Sequence, residues 1–103
     1  MDGVNVVVVS GRLVLGVEVE RLENATKELV KQTPGLVVMD LSGLDYADSA
    51  GIGTFVACLT LIRKAGGDMR VAGVNARIQK LFQITGINHL MASYPTVAAA
   101  AAG

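Results

Sequence analysis

The sequence has no tryptophan, two phenylalanines and two tyrosines among its 103 residues. That scarcity excludes an aromatic core, so any core must be packed from Val, Leu, Ile, Ala and Met. A single cysteine, Cys58, excludes an internal disulfide and fits a reducing compartment. No apolar run approaches the roughly 18 residues that suggest a membrane span. The run Val6–Val9 is short and lacks the basic flank of a secretion signal. Nine basic and nine acidic residues cancel to a formal net charge of zero. That balance removes the long-range pull expected of a nucleic-acid or anionic-membrane binder. The expectation is a cytoplasmic domain with no nucleic-acid partner and no direct membrane insertion.

What is present is aliphatic. Hydrophobic residues make up 51% of the chain and mean hydropathy is +0.50, so most elements should be buried on at least one face. The length fits one domain, residues 1–103, with one core.

The run 4–9, VNVVVV, is β-branched and continuously apolar but for Asn5, which predicts a strand buried on both faces. SGR (10–12) is a turn signal, and LVL (13–15) offers a second short strand. From Val17 to Lys31 the period changes: Val19, Leu22, Ala25, Thr26, Leu29 and Val30 recur at helical spacing, and charged residues fill the opposite face. TPG (33–35) ends that helix. LVVMDL (36–41) predicts a central strand. Residues 50–64 read as a helix apolar nearly all round, with Arg63 and Lys64 in its last turn and Gly66 and Gly67 as its stop. MRVAGV (69–74) predicts another strand. Asn75 is a good N-cap for a helix over 76–84 that faces inward with Ile78, Leu81 and Phe82, with Ile84 a further candidate for that face, and Gly86 stops it. HLMAS (89–93) predicts a short edge strand, and Pro95 fits the first turn of a last, alanine-rich helix. Strands alternating with helices imply an α/β fold with a mixed, mostly parallel sheet and flanking helices.

GLDYADSAGIGTF (43–55) falls between a strand and a helix start, where α/β folds place their sites. It lacks the lysine of a phosphate-binding P-loop, and Val56 stands where a dinucleotide fingerprint needs its third glycine. A hydrolase elbow needs glycine where Ala47 stands, and the one histidine, His89, lies far along the chain. Two readings remain open. Ser49 can be a plain capping residue whose oxygen meets the first-turn N–H groups. It can also be a regulated hydroxyl, because a phosphate there meets a favourable helix dipole and adds about −1.5 to −2 charges.

The ordered motifs Asp48-Ser49-Ala50-Gly51-Ile52-Gly53, Ala65-Gly66-Gly67, Arg77 to Leu81-Phe82, and Thr85-Gly86-Ile87 resemble those of the bacterial anti-sigma-factor antagonists, which are STAS domains. VVVVSGRLVLG is similar to that family's early strand pair, so the likeness covers nearly the whole chain. The resemblance implies a small STAS-type fold and a phosphorylated hydroxyl directly after the aspartate, here Ser49. It implies partner switching: the antagonist binds an anti-sigma factor that is a serine kinase, phosphorylation releases it, and a serine phosphatase restores it. Such a protein is a kinase substrate with no catalytic residue, metal or cofactor of its own. The implied docking surface is Asp48, Ser49, Ala50, Gly51, Ile52, Gly53 and Thr54. A STAS subunit that works without phosphorylation, in a transporter complex such as a lipid transporter or in a signalling scaffold, is the alternative.

Two departures stand out. Many family members carry a strand before Val4, and the tail AAAAAG lacks their usual polar character. Among single residues, Asp48 orients Ser49, contacts the kinase, or closes a turn on its own backbone. Asp45 is expected as a loop acid. Gly51 and Gly53 allow close approach, by a partner or by the fold's own backbone. Ile52 and Thr54 are expected to be the more exposed residues of the helix start. Cys58 is expected as core and His89 as a structural or surface residue, with Arg77 and Lys80 on a solvated face.

Overall fold

The computed structural model describes residues 3–32 and 34–103. Thr33, expected in the turn after the first helix, lies outside the described residues, as do Met1 and Asp2. The chain runs β1 (Val4–Val8), β2 (Gly11–Leu13), α1 (Val17–Val30), β3 (Leu36–Asp40), β4 (Leu44–Ala47), α2 (Ser49–Lys64), β5 (Asp68–Ala72), α3 (Ala76–Thr85), a 3-10 turn at Ile87–His89, β6 (Ser93–Tyr94) and α4 (Val97–Ala102). The main sheet has the order β1-β3-β5-β6, and β2 and β4 form a separate pair. Every ladder among the described residues is parallel. This is the α/β domain with a mostly parallel sheet that the alternating pattern predicted, and β3 is central to it.

Strand alternation divides the interior in two. Val37, Met39, Met69 and Val71 face the larger core with Leu22, Phe55, Leu59, Ile62, Ile78 and Phe82 from α1, α2 and α3. Val38 and Ala72 face the other way, against Ala100 of α4. Only two aromatic rings enter the larger core, Phe55 and Phe82, and they meet edge to face with centroids 5.7 Å apart. Cys58 is buried there as expected, and burial pushes its thiol pKa up. The Thr26 hydroxyl is the polar group of the α1 core face; it donates to the Leu22 carbonyl at 2.9 Å and approaches Cys58 Sγ at 3.2 Å.

Several expectations are corrected. β1 is not buried on both faces: Val6 is 43% and Val8 68% exposed, because β1 is an edge strand and α4 packs on β3 and β5. The second strand occupies 11–13 rather than 13–15. Residues 44–47, expected in a loop, form β4, which exists through its pairing with β2. Its two central residues, Asp45 and Tyr46, are both exposed, so no alternation marks it in the sequence. His89 ends a 3-10 turn rather than starting a strand, and the edge strand is Ser93–Tyr94. Pro95 lies before the last helix, not in its first turn; Thr96 is the N-cap, its hydroxyl accepting the Ala99 N–H at 3.1 Å. The start and stop of α3 are as expected: Asn75 accepts the Ile78 N–H at 2.9 Å, and Gly86 is left-handed with φ 78°. Ile84, a candidate for its inward face, is exposed instead. Asn75 also donates to the Leu44 carbonyl at 2.9 Å, tying α3 to β4. No helix among the described residues is long and apolar enough to cross a membrane.

The start of α2 lies directly on β2. A Cβ at Gly51 would fall well inside van der Waals contact of the Leu13 carbonyl oxygen, whereas one at Gly53 would meet nothing within 4 Å. The two glycines therefore differ in kind. Gly51→Ala should lower stability in urea unfolding despite alanine's better helix propensity. Gly53→Ala should raise it by about 1 kcal/mol.

Candidate functional site

The site is the junction where β4 turns into α2. Asp48 is the N-cap, with extended backbone at φ −86° and ψ −175°. Both carboxylate oxygens are used. Oδ1 accepts the Gly51 N–H at 2.8 Å, and Oδ2 accepts the Leu15 N–H at 3.0 Å. The first bond satisfies an orphan donor of the helix. The second clamps the turn after β2 to the start of α2. Backbone bonds reinforce the joint: Asp48 N–H donates to the Leu13 carbonyl at 3.3 Å, and Ile52 N–H donates to the Asp48 carbonyl at 2.9 Å. The N–H groups of Leu15 and then Gly51 hold the Asp48 pKa below its ordinary value of 3.8, because they stabilise the ionised form.

Ser49 is the first helical residue and is exposed. The capping role weighed for it belongs to Asp48. Among the described residues its hydroxyl has no hydrogen-bond partner, which leaves it free for chemistry.

The seven residues expected to form the docking surface separate on inspection. Ser49 and Gly53 are exposed, and Asp48 and Ala50 are half-buried. Gly51 is buried against β2. Ile52 and Thr54, expected to be the more exposed, are buried instead, at 6% and 3% exposure. Ile52 belongs to the larger core, and the Thr54 hydroxyl is satisfied by the Ala50 carbonyl at 2.8 Å. A helix resting on β2 turns those two positions inward and leaves Ser49, Gly53, Ala57 and Thr60 as its open stripe.

Two apolar residues beside the site were not anticipated. Leu15 is 77% and Val17 56% exposed, and the Asp48–Leu15 bond fixes their turn next to the start of α2. An exposed leucine and valine flanking a glycine are their sequence signal, but the run LVL looks like strand. On the β2–β4 pair, the Arg12 guanidinium sits 4.7 Å from the Tyr46 ring centroid. Asp45 is exposed on β4, not in a loop. His89 lines a cavity with Arg63, at the other end of α2, and does not approach Ser49.

The geometry sets a pH dependence. Folding lowers the Asp48 pKa, so its contribution is complete above the ordinary carboxylate value and is lost as pH falls through the folded-state value. Asp48→Asn keeps one acceptor oxygen in place of two. The variant should have a lower melting temperature at neutral pH, and the gap from the parent should shrink as pH is lowered from about 5 to 2.

A family model for the STAS domain matches residues 1–100. An anti-sigma-B factor antagonist of Staphylococcus aureus is 36% identical over 55 residues, which is 53% of this chain and 51% of that protein. One from Bacillus subtilis is 33% identical over 51 residues, 50% of this chain and 47% of that protein. The chain therefore spans about half the length of these curated relatives. The crystal structure of an anti-sigma factor antagonist from Mycobacterium paratuberculosis is similar over 99% of this chain and 86% of its own, with TM-score 0.83 and 28% identity. The fold of a sulfate transporter family protein from Wolinella succinogenes superposes over 97% of this chain and 83% of its own, with TM-score 0.85 and 17% identity. On the family match, the chain belongs to the STAS domain family.

Proposed function

We propose that this protein is a cytoplasmic anti-sigma-factor antagonist that binds an anti-sigma factor with serine-kinase activity, and that phosphorylation of Ser49 releases it. A separate serine phosphatase returns it to the binding form. The protein itself is a substrate and binding partner, not an enzyme. The observation that carries this reading is the exposed, unpartnered Ser49 hydroxyl at a helix start that Asp48 already caps. A kinase can reach such a hydroxyl without breaking the fold.

The electrostatics support release. A phosphate adds about −1.5 to −2 charges beside Asp48 and close in sequence to exposed Asp45. The helix dipole and first-turn N–H groups lower the cost of that charge within the chain. A partner surface fitted to a neutral hydroxyl meets a concentrated anion instead. Leu15 and Val17 supply the apolar part of the surface, and Gly53 lets a partner backbone come close to the helix. Gly51, Ile52 and Thr54 act from behind, by holding that helix in place.

Calorimetry with the organism's own anti-sigma factor kinase tests the reading. Ser49→Asp should weaken binding by about tenfold or more, with the melting temperature unchanged. Ser49→Ala should bind as the parent does and stay bound when ATP is added. Leu15→Glu should weaken binding without unfolding the domain. Equal affinities for the Ser49→Asp variant and the parent would rule the switch out.

A further inference from the structure

At the far end of α2 from Ser49, a cavity of about 360 Å3 opens beside β5. At about 1.5 Å per residue, Arg63 lies about 21 Å along the helix axis from Ser49. The cavity has a structural cause. β6 pairs with β5 only at Val71 and Ala72, so the first half of β5 has no strand on that side. The segment Leu90–Ala92 lines the cavity together with Asp68–Arg70 and joins β5 through the Ala92 carbonyl, which accepts the Val71 N–H at 3.1 Å. Asp68 Oδ1 takes the Met69 N–H at 2.9 Å in place of a strand carbonyl.

The lining carries two guanidinium groups, Arg63 and Arg70, against one carboxylate, Asp68, in a chain with no formal net charge. Both guanidinium groups are anchored by contacts that leave donors over. Arg63 donates through Nε to Asp68 Oδ1 at 3.1 Å and through Nη2 to the Leu90 carbonyl at 2.9 Å, bridging the two walls. Arg70 donates through Nη1 to the Ala100 carbonyl at 2.6 Å, and its guanidinium lies 5.5 Å from the Tyr94 ring centroid. A guanidinium carries five N–H donors. Arg63 Nη1 and Arg70 Nε and Nη2 therefore have no protein acceptor among the described residues. Both arginines line the same cavity, and a guanidinium with donors left over is the side chain suited to the oxygens of a tetrahedral anion. An apolar ligand would strand those donors unpaired.

We propose that this cleft binds a phosphate group, free or carried on a small organic molecule, through Arg63 and Arg70. The proposal is independent of the reading of Ser49.

Amide chemical shifts of the full chain, titrated separately with inorganic phosphate, glycerol 3-phosphate and potassium chloride at matched ionic strength, test it. Both phosphates should give saturable shifts at Asp68–Arg70 and Leu90–Ala92, with Ser49–Gly53 unmoved. Tighter binding of glycerol 3-phosphate would assign the group to an organic phosphate, and equal or weaker binding would assign it to the free anion. Arg70→Lys retains the charge but not the planar fork and should weaken binding about tenfold. Combined Arg63→Gln and Arg70→Gln should abolish binding; if that variant does not fold, Arg70→Lys alone decides. The site is overturned if chloride reproduces the shifts, if phosphate gives none, or if Arg70→Lys titrates as the parent does.

Discussion

The Asp48 carboxylate joins two elements whose residues lie 33 positions apart in sequence. One oxygen completes the first turn of α2, and the other holds the Leu15 N–H in the turn after β2. Without that clamp, the four-residue β4 and three-residue β2 would be a marginal parallel pair. With it, the strand pair, the exposed Leu15–Val17 turn and the start of α2 form one surface. The clamp also decides what Ser49 can be. Because a carboxylate does the capping, the neighbouring hydroxyl carries no structural duty.

Packing serves the same junction. Gly51 brings the helix onto the Leu13 carbonyl, and Ile52, Phe55 and Leu59 then reach the larger core. Thr54 turns inward with its hydroxyl bonded to its own helix, so no buried side-chain polar atom is left unsatisfied among the described residues. Gly53 is the exception, since nothing in the fold occupies the space its side chain would take. A helix with glycine there gives up intrinsic stability and leaves a flat, open position one turn from Ser49.

Elements that carry their own signals were legible in the sequence. The apolar face of α1, the Asn75 cap and the left-handed Gly86 depend on local chemistry: Val19, Leu22 and Thr26 are buried as their spacing suggests, although Ala25 of the same stripe is exposed, and the cap and the stop stand where their residues place them. β4 was not legible, because Asp45 and Tyr46 break the alternation and the strand exists only through a partner more than 30 residues upstream. β1 misled for a related reason: a run of valines reads the same at a sheet edge as at its centre, and only α4's placement on β3 and β5 leaves Val6 and Val8 bare. At the site, the resemblance of the motif singled out the segment 48–54. Which of its side chains point outward depended on how closely the helix rests on β2, and that is tertiary information. Hence Ile52 and Thr54 turn inward although their place at the helix start suggests exposure, and Leu15 and Val17 stand exposed although the first belongs to a strand-like run.

The proposed switch requires Ser49 to be modified in the cell, and mass-spectrometric mapping of phosphopeptides on protein recovered from its own cells, with and without stress, tests that most directly. A phosphate on Ser49 whose occupancy changes between the conditions is the result expected. An unmodified Ser49 under every condition would contradict the switch and leave a STAS surface that binds a fixed partner.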